Sequence, residues 1–134
     1  IEVITLEEKP DKMYIVLELV TGGSLQDLLE SYPSGALPVS LCHRFFVQLL
    51  EALGHCHTKG VIHRDIKPAN LMITADGQLK ISDFGSAESL DQYRPEDTLS
   101  QSSGSPAFHS PEVASGATSM SGFKVDVWAA GVTL

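Results

Sequence analysis

Four side chains near the middle of the chain are of the types that phosphoryl transfer requires: Asp65, Lys67, Asn70 and Asp83. Asp83 is a hard oxygen ligand for Mg²⁺, and Asn70 offers a neutral oxygen for a second metal ion. Asp65 can accept the proton of a substrate hydroxyl, and Lys67 can place a cation beside a γ-phosphate. Phosphoryl transfer depends mainly on charge neutralisation and an aligned nucleophile. The four residues therefore predict a site that grips a metal–nucleotide phosphate and orients a hydroxyl group.

Each residue also has a plainer interpretation when it is taken alone. Asp65 and Asn70 can be loop caps, and Lys67 can be a solvated surface charge. A lone Asp-Phe-Gly (83–85) is usually a simple turn. The joint occurrence of all four on two loops is far more specific than any one of them, and it favours the catalytic interpretation.

The two loops are joined by a predicted β-hairpin. Residues 71–74 and 79–82 are strand-like and flank Asp76-Gly77, a dipeptide that strongly favours a tight hairpin turn. A hairpin returns the chain to where it started, so we expect the loops before and after it to face one site.

Apolar patterning predicts the elements that precede this site. Residues 13–20 form a nearly unbroken apolar run, which indicates a buried strand. Ser24 is placed to cap a short helix over 25–30. Apolar residues then recur at helical spacing from about 38 to 58, and Gly60 ends that helix.

The segment 86–107 is polar and lacks periodicity. So long a loop inside a compact domain is usually functional or mobile. Its acidic residues can favour basic peptides, although a solvated loop face is the more common case. These acidic residues are Glu88, Asp91, Glu96 and Asp97.

A cluster of histidine and cysteine residues at 55–57, with His63, raises the alternative of a zinc site. Helical spacing points His55 and His57 in different directions, which disfavours it. Cys42 and Cys56 lack the CxxC spacing, so neither a disulfide nor a zinc site is expected. A reducing cytoplasmic or nuclear location is the default.

Length and charge bound the remaining possibilities. The chain has 134 residues, enough for one domain. Its net charge of −8 argues against nucleic acid as a partner, and no apolar run approaches the ~20 residues of a membrane span. It begins at Ile1 without Met and breaks off in an apolar helix over 123–134. We therefore expect an internal fragment of a longer protein.

The loops at 63–70 and 83–85 resemble the catalytic and metal-binding loops of eukaryotic protein kinases. The resemblance covers essentially the whole chain and implies an α+β, protein-kinase-like fold. By that match, residues 1–20 are the end of the N-lobe sheet and the hinge. Residues 21–134 are the C-lobe up to the start of its central buried helix. The glycine-rich loop, the phosphate-binding lysine and its helix glutamate would lie upstream.

The resemblance also implies where ATP binds. Leu17 would be the gatekeeper, and the backbone from Glu18 to Val20 would be the hinge that binds adenine. Met72 would lie under the adenine ring, and Lys67 would contact the γ-phosphate. The pair Lys67-Pro68 resembles the serine/threonine branch rather than the tyrosine kinases.

Further roles follow from the same match. Asp65, Lys67 and Asn70 would be catalytic, while Asn70 and Asp83 would bind Mg²⁺, with Mn²⁺ as an alternative ion. The hydroxyl of Ser105 would contact Asp65 and Lys67. In addition, His63 and Phe84 would pack in the hydrophobic spine, and Asp126 would anchor the catalytic-loop backbone.

A closer resemblance is to liver kinase B enzymes, which act upstream of AMP-activated kinase. It is carried by the segments 7–9, 12–14, 104–108, 121–126 and 130–134, whereas Arg64, Ala69 and Phe84 depart from the pattern. These enzymes are activated by a pseudokinase adaptor and a helical-repeat scaffold. The position that many kinases phosphorylate is Gln101 here, so the resemblance implies control by such partners. Phosphorylation of Ser100, Ser102 or Ser103 is the competing hypothesis.

The sequence thus predicts part of an ATP-dependent serine/threonine kinase that modifies Ser and Thr hydroxyls of proteins. Activation loops of AMP-activated-kinase-type enzymes are the substrates that the liver kinase B resemblance implies. The alternative is a non-catalytic pseudokinase, or a truncated adaptor isoform that binds kinase partners. In either case the chain as given is expected to be inactive alone.

Overall fold

The elements run from a strand pair through two helices and a hairpin to a final, partly buried helix. The structure, a computed structural model, describes residues 1–90, 96–100 and 103–133, so Asp91, Gln101, Ser102 and Leu134 lie outside the described residues. The strands are β1 (Val3–Lys9), β2 (Lys12–Leu17), β3 (Val61–Ile62), β4 (Leu71–Ile73), β5 (Leu79–Ile81), β6 (Glu88–Ser89), β7 (Thr98–Leu99) and β8 (Met120–Ser121). The α-helices are α1 (Leu25–Ser31), α2 (Val39–Thr58), α3 (Pro111–Ala114) and α4 (Gly122–Thr133).

Strands β1 and β2 form an antiparallel ribbon that pairs Leu6 with Ile15. The prediction of a buried strand over 13–20 is wrong in two respects. The strand ends at Leu17, and every residue of both strands is exposed. Among the residues that the structure describes, the ribbon is a separate two-stranded sheet, and no further strand of it covers these apolar side chains. Leu19, in the segment after the ribbon, is 86% exposed.

Helix α1 begins where the sequence predicts. Ser24 accepts a hydrogen bond from the backbone N–H of Asp27, and the Asp27 carboxylate accepts one from the Ser24 N–H. This reciprocal capping box satisfies two N–H groups that would otherwise lack partners at the helix start. The predicted cap is therefore confirmed, and Leu25 in the first turn is buried.

Helix α2 is the main support of the site. Its predicted apolar stripe is confirmed at Phe45, Leu49 and Leu53, all of which are buried. Burial of each such side chain stabilises the fold by about 1.5–3 kcal/mol. The helix ends at Thr58, and Gly60 follows with φ 69°, a left-handed conformation that glycine adopts without the Cβ penalty.

The predicted hairpin is formed by β4 and β5, with Leu71 opposite Ile81 and Ile73 opposite Leu79. These four residues are buried, and they belong to the same core cluster as the buried residues of α2. Gly77 has φ 77° in the turn. Because the strands pair in this register, the residues just before β4 and just after β5 are held side by side.

Described parts of the polar segment 86–107 form short strands that its sequence does not predict. Strand β6 pairs with β3, and β7 pairs with β8. Two of its acidic residues serve within the fold. Glu88 forms an ion pair with Arg64, and Asp97 accepts hydrogen bonds from the Ser121 hydroxyl and the Phe123 N–H. Glu88 and Asp97 are therefore engaged within the fold and are not free carboxylates that could attract a basic peptide.

Helix α4 confirms the predicted apolar helix over 123–134 up to Thr133. One face, which includes Asp126 and Ala130, is buried, while Trp128 on another is 45% exposed. The helix starts close to β3, since a Cβ at Gly122 would lie 2.3 Å from Ile62 Cδ1. Within the described part of the chain, no helix has the length and apolar character to cross a membrane.

Candidate active site

Asp126 on α4 anchors the loop that follows β3. The carboxylate is fully buried. It accepts the backbone N–H of His63 at 2.9 Å and that of Arg64 at 2.8 Å, one on each oxygen. These contacts confirm the predicted anchor. A buried carboxylate is costly unless it is hydrogen-bonded, so the contacts fix this loop relative to α4.

His57 completes the anchor from the last turn of α2. Its Nε2 lies 2.9 Å from Asp126 Oδ2, and its ring stacks on Phe123 with centroids 4.4 Å apart. In the sequence, His57 stands out only as a candidate zinc ligand, and no local pattern predicts this role. In the described residues, no group of three or more His, Cys, Asp or Glu side chains is placed to hold a metal.

Asp65 is the centre of a hydrogen-bond network. Its Oδ1 accepts the N–H and the hydroxyl of Ser105, both at 2.9 Å. Its Oδ2 accepts Lys67 Nζ at 2.7 Å and Asn70 Nδ2 at 3.0 Å. The structure therefore brings three of the predicted site residues into direct contact, and the predicted Ser105 contact with Asp65 is confirmed.

The protonation state of Asp65 follows from these contacts. Burial by itself would raise the pKa of Asp65. The hydrogen bonds from Lys67, Ser105 and Asn70, with the nearby Lys67 charge, outweigh that effect and lower the pKa below its ordinary value. Asp65 is thus a carboxylate at neutral pH. It is suited to orienting a hydroxyl group and accepting its proton late in a reaction.

Lys67 lies between Asp65 and Ser105. Its ammonium group donates to Asp65 Oδ2 and to Ser105 Oγ, each at 2.7 Å, which confirms the second predicted Ser105 contact. About a quarter of the side chain is exposed. The network thus ties the loop at 63–70 to the 3₁₀ turn that starts at Pro106, and it leaves a cation at the mouth of the site.

Asn70 and Asp83 are brought together by the hairpin. The backbone N–H of Ser82 donates to the Asn70 carbonyl at 2.9 Å, so Asp83 directly follows a residue bonded to Asn70. This contact confirms that the two loops face one site. Asp83 has φ 59°, an uncommon left-handed conformation for a residue other than glycine. One of its carboxylate oxygens accepts the Gly85 N–H.

The segment 83–85 is held in place by His63, which is fully buried. His63 Nε2 lies 3.0 Å from the Ser82 carbonyl, and its ring meets Phe84 edge-on with centroids 4.8 Å apart. The predicted contact between His63 and Phe84 is therefore confirmed. The contact links the loop at 63–70 to Phe84, the residue after Asp83.

The donor set at Asn70 and Asp83 fits a magnesium ion. Asn70 Nδ2 donates to the Asp65 carbonyl at 2.8 Å as well as to the Asp65 carboxylate, which leaves the amide oxygen for a ligand. Asp83 is exposed and adds carboxylate oxygen. Mg²⁺ is typically held by one or two protein oxygens together with phosphates and water, and these two side chains match that need.

The predicted hinge residues lie at the end of the β1–β2 ribbon. Leu17 is the last residue of β2 and is 45% exposed, while Val20 is partly buried. Glu18 accepts the Glu2 N–H at 2.7 Å and forms an ion pair with Lys80. Because Lys80 stands opposite Met72 in the β4–β5 register, the pair brings Glu18 towards Met72.

A family model described as the protein kinase domain matches residues 1–134. The chain belongs to the protein kinase domain family. This match confirms the α+β, protein-kinase-like fold predicted from the sequence.

Named relatives point to the serine/threonine branch. The chain is 48% identical over all its 134 residues to "Serine/threonine-protein kinase STK11" of Homo sapiens, of which it covers 30%. It is 48% identical over 129 residues, 96% of the chain, to the "stk11 homolog" of Dictyostelium discoideum, of which it covers 22%. "CBL-interacting protein kinase 4" of Oryza sativa is 45% identical over 123 residues, 92% of the chain and 27% of the relative.

These matches confirm the resemblance to liver kinase B, which is STK11. The chain spans 30% of the length of the human relative, so it corresponds to part of a longer protein of that family.

Proposed function

We infer that the parent protein is an ATP-dependent serine/threonine kinase that transfers the γ-phosphate to Ser or Thr hydroxyls of protein substrates. One observation carries this proposal. Lys67, Asn70 and Ser105 all donate hydrogen bonds to Asp65, on a loop whose end is bonded to the residue before Asp83. The family match and the serine/threonine names of the relatives support it.

In this proposal Asp65 receives and orients the substrate hydroxyl. Its lowered pKa keeps it ionised, so proton acceptance accompanies rather than precedes phosphoryl transfer. Lys67 supplies a positive charge where the transferred group gains negative charge. Ser105 holds both residues in place from the opposite segment.

Asn70 and Asp83 are the proposed ligands of Mg²⁺, with Mn²⁺ as an alternative ion. When bound, the metal neutralises phosphate charge and aligns the transferred group. The adenine is proposed to lie between the hinge, at Leu17 to Val20, and Met72. The described contacts that support this placement are the ion pair of Glu18 with Lys80 and the pairing of Lys80 with Met72.

The finer features come from the liver kinase B resemblance. We assign residues 1–20 to the end of the N-lobe sheet and the hinge, and residues 21–134 to the C-lobe up to its central helix. Activation loops of AMP-activated-kinase-type enzymes are the proposed substrates. A pseudokinase adaptor and a helical-repeat scaffold are the proposed partners. The proposed location is the cytoplasm, the nucleus or both.

The test uses the full-length protein with and without Asp83→Asn. We expect metal-dependent transfer of phosphate from ATP to a protein substrate to be abolished, because the amide cannot supply the carboxylate charge to the metal. Thermal unfolding should change little, since Asp83 is exposed. Normal transfer by the variant would overturn the site assignment. Nucleotide binding without transfer by the wild type would favour the alternative, a pseudokinase or a truncated adaptor isoform.

A further inference from the structure

Arg64 is held in an uncommon backbone conformation beside Asp65. Its φ is 67°, and a non-glycine residue keeps such a strained conformation only where its surroundings impose it. Here they do. Asp126 holds the Arg64 N–H, and Gly104 packs so closely that an added Cβ would lie 2.2 Å from the Arg64 carbonyl oxygen.

The Arg64 side chain reaches the segment that follows the metal loop. Its Nε donates to the Ser86 carbonyl, and its Nη1 donates to Glu88 Oε2 at 2.8 Å. Glu88 is in turn held in β6, where it pairs with Ile62 of β3. Both acceptors therefore lie in the five residues that follow Asp83. The Arg64 side chain thus joins the loop at 63–70 to the segment directly after Asp83.

An arginine guanidinium readily binds a phosphate or a carboxylate. In this chain the anionic partner is Glu88, which is part of the same loop. An arginine satisfied by a carboxylate does not need a phosphate to order its surroundings. Among the residues that the structure describes, Ser100 and Ser103 of the following segment are the serines that could carry such a phosphate.

We propose that Glu88 is a positioning residue for phosphoryl transfer, which holds Arg64 so that Asp65 and Asp83 stay in register without phosphorylation of the loop serines. The proposal rests on the proposed kinase function and adds a built-in regulatory feature to it. In this role Glu88 acts through Arg64, its ion-pair partner.

The size of the effect follows from the exposure of the pair. The side chains of Arg64 and Glu88 are 18% and 45% exposed, and ion pairs of this kind couple their partners by about a factor of two to five. The coupling should weaken at high salt, because exposed charges are screened.

The experiment uses the full-length protein with its activating partners, after treatment with a broad-specificity protein phosphatase. Turnover, melting temperature and the Kd of a magnesium-bound non-hydrolysable ATP analogue are measured for wild type, Glu88→Gln, Arg64→Gln and the double variant. Glu96→Gln, which removes an exposed carboxylate from the same segment, is the matched control.

We expect the dephosphorylated wild type and Glu96→Gln to be active. Glu88→Gln should lower kcat and raise the Kd of the magnesium–nucleotide analogue by about two- to fivefold, with an unchanged melting temperature. The double variant should be about as active as the less active of the two single variants, because both changes break one interaction.

Three results would overturn the proposal: loss of wild-type activity on dephosphorylation, wild-type kinetics for Glu88→Gln, or additive losses in the double variant. A different result would reject the proposed function itself. In that case the wild type, treated or untreated, would transfer no phosphate at all.

Discussion

Ser105 donates two hydrogen bonds to Asp65 Oδ1, one from its backbone N–H and one from its hydroxyl, both at 2.9 Å. The two residues are 40 positions apart in the chain. The same hydroxyl accepts Lys67 Nζ at 2.7 Å. Ser105 is therefore the residue through which the polar segment before α3 fixes the geometry of Asp65 and Lys67.

Removal of the Ser105 hydroxyl should weaken this arrangement without destroying it. In the full-length protein, Ser105→Ala should lower kcat by about ten- to a hundredfold, since a hydrogen bond to a charged group contributes about 1.5–3 kcal/mol. The backbone N–H contact remains. Ser105→Thr keeps the hydroxyl and should retain most of the activity. Equal kcat values for the Ala variant and the wild type would show that the contact has no catalytic role.

Gly104 is required by close packing as well as by its backbone angle. It has φ 94°, and an added Cβ would lie 2.2 Å from the Arg64 carbonyl oxygen. Gly116 also has a positive φ, 71°, but no atom lies within 4 Å of an added Cβ. A comparison of alanine substitutions at these two positions therefore distinguishes the cost of the backbone conformation from the cost of steric overlap.

We expect Gly116→Ala to lower the free energy of unfolding by about 1–2 kcal/mol, the cost of a left-handed conformation for alanine. Gly104→Ala should lower it further and reduce phosphoryl transfer, because the loop must move away from Arg64. Chemical denaturation of both full-length variants measures the difference. The packing explanation fails if the two substitutions cost the same.

The pKa of Asp65 predicts how stability depends on pH. The folded-state value lies below the ordinary 3.8, so Asp65 contributes stability that is fully present above the unfolded pKa. That contribution is lost as pH falls through the lower, folded value. The stability difference between wild type and Asp65→Asn should therefore stay constant from neutral pH down to about pH 5 and shrink only in more acidic solution.

Thermal unfolding of the full-length wild type and Asp65→Asn between pH 7 and pH 3 measures this dependence. Glu51→Gln, a change at an exposed position of α2, is a control that should show no comparable trend. A stability difference that already declines between pH 7 and pH 5 would mean that the pKa of Asp65 is raised rather than lowered.

Local signals in the sequence were enough to predict the elements that position the site. Asp76-Gly77 predicted the β4–β5 hairpin, Ser24 predicted the start of α1, and apolar spacing predicted α2. Each depends on residues close together in the chain. The resemblance to kinases supplied the long-range contact of Asp126 with the loop at 63–70.

Other features had no local signal. Strands β3 and β6 are two residues long, too short for a periodic pattern, so the segment 86–107 was predicted as a long functional or mobile loop. The pairs His57–Asp126 and Arg64–Glu88 join residues 69 and 24 positions apart. The apolar run at 13–20 was predicted to be buried because hydrophobicity alone does not show whether another element covers a strand.

The most direct test of the central claim is phosphoryl transfer by full-length Asp65→Asn in a single-turnover assay with labelled ATP. Removal of a positioned base lowers rates by about 10²–10⁴-fold. We predict a loss in that range, with nucleotide affinity unchanged. Transfer by the variant at the wild-type rate would contradict the assignment of Asp65 and the proposed site as a whole.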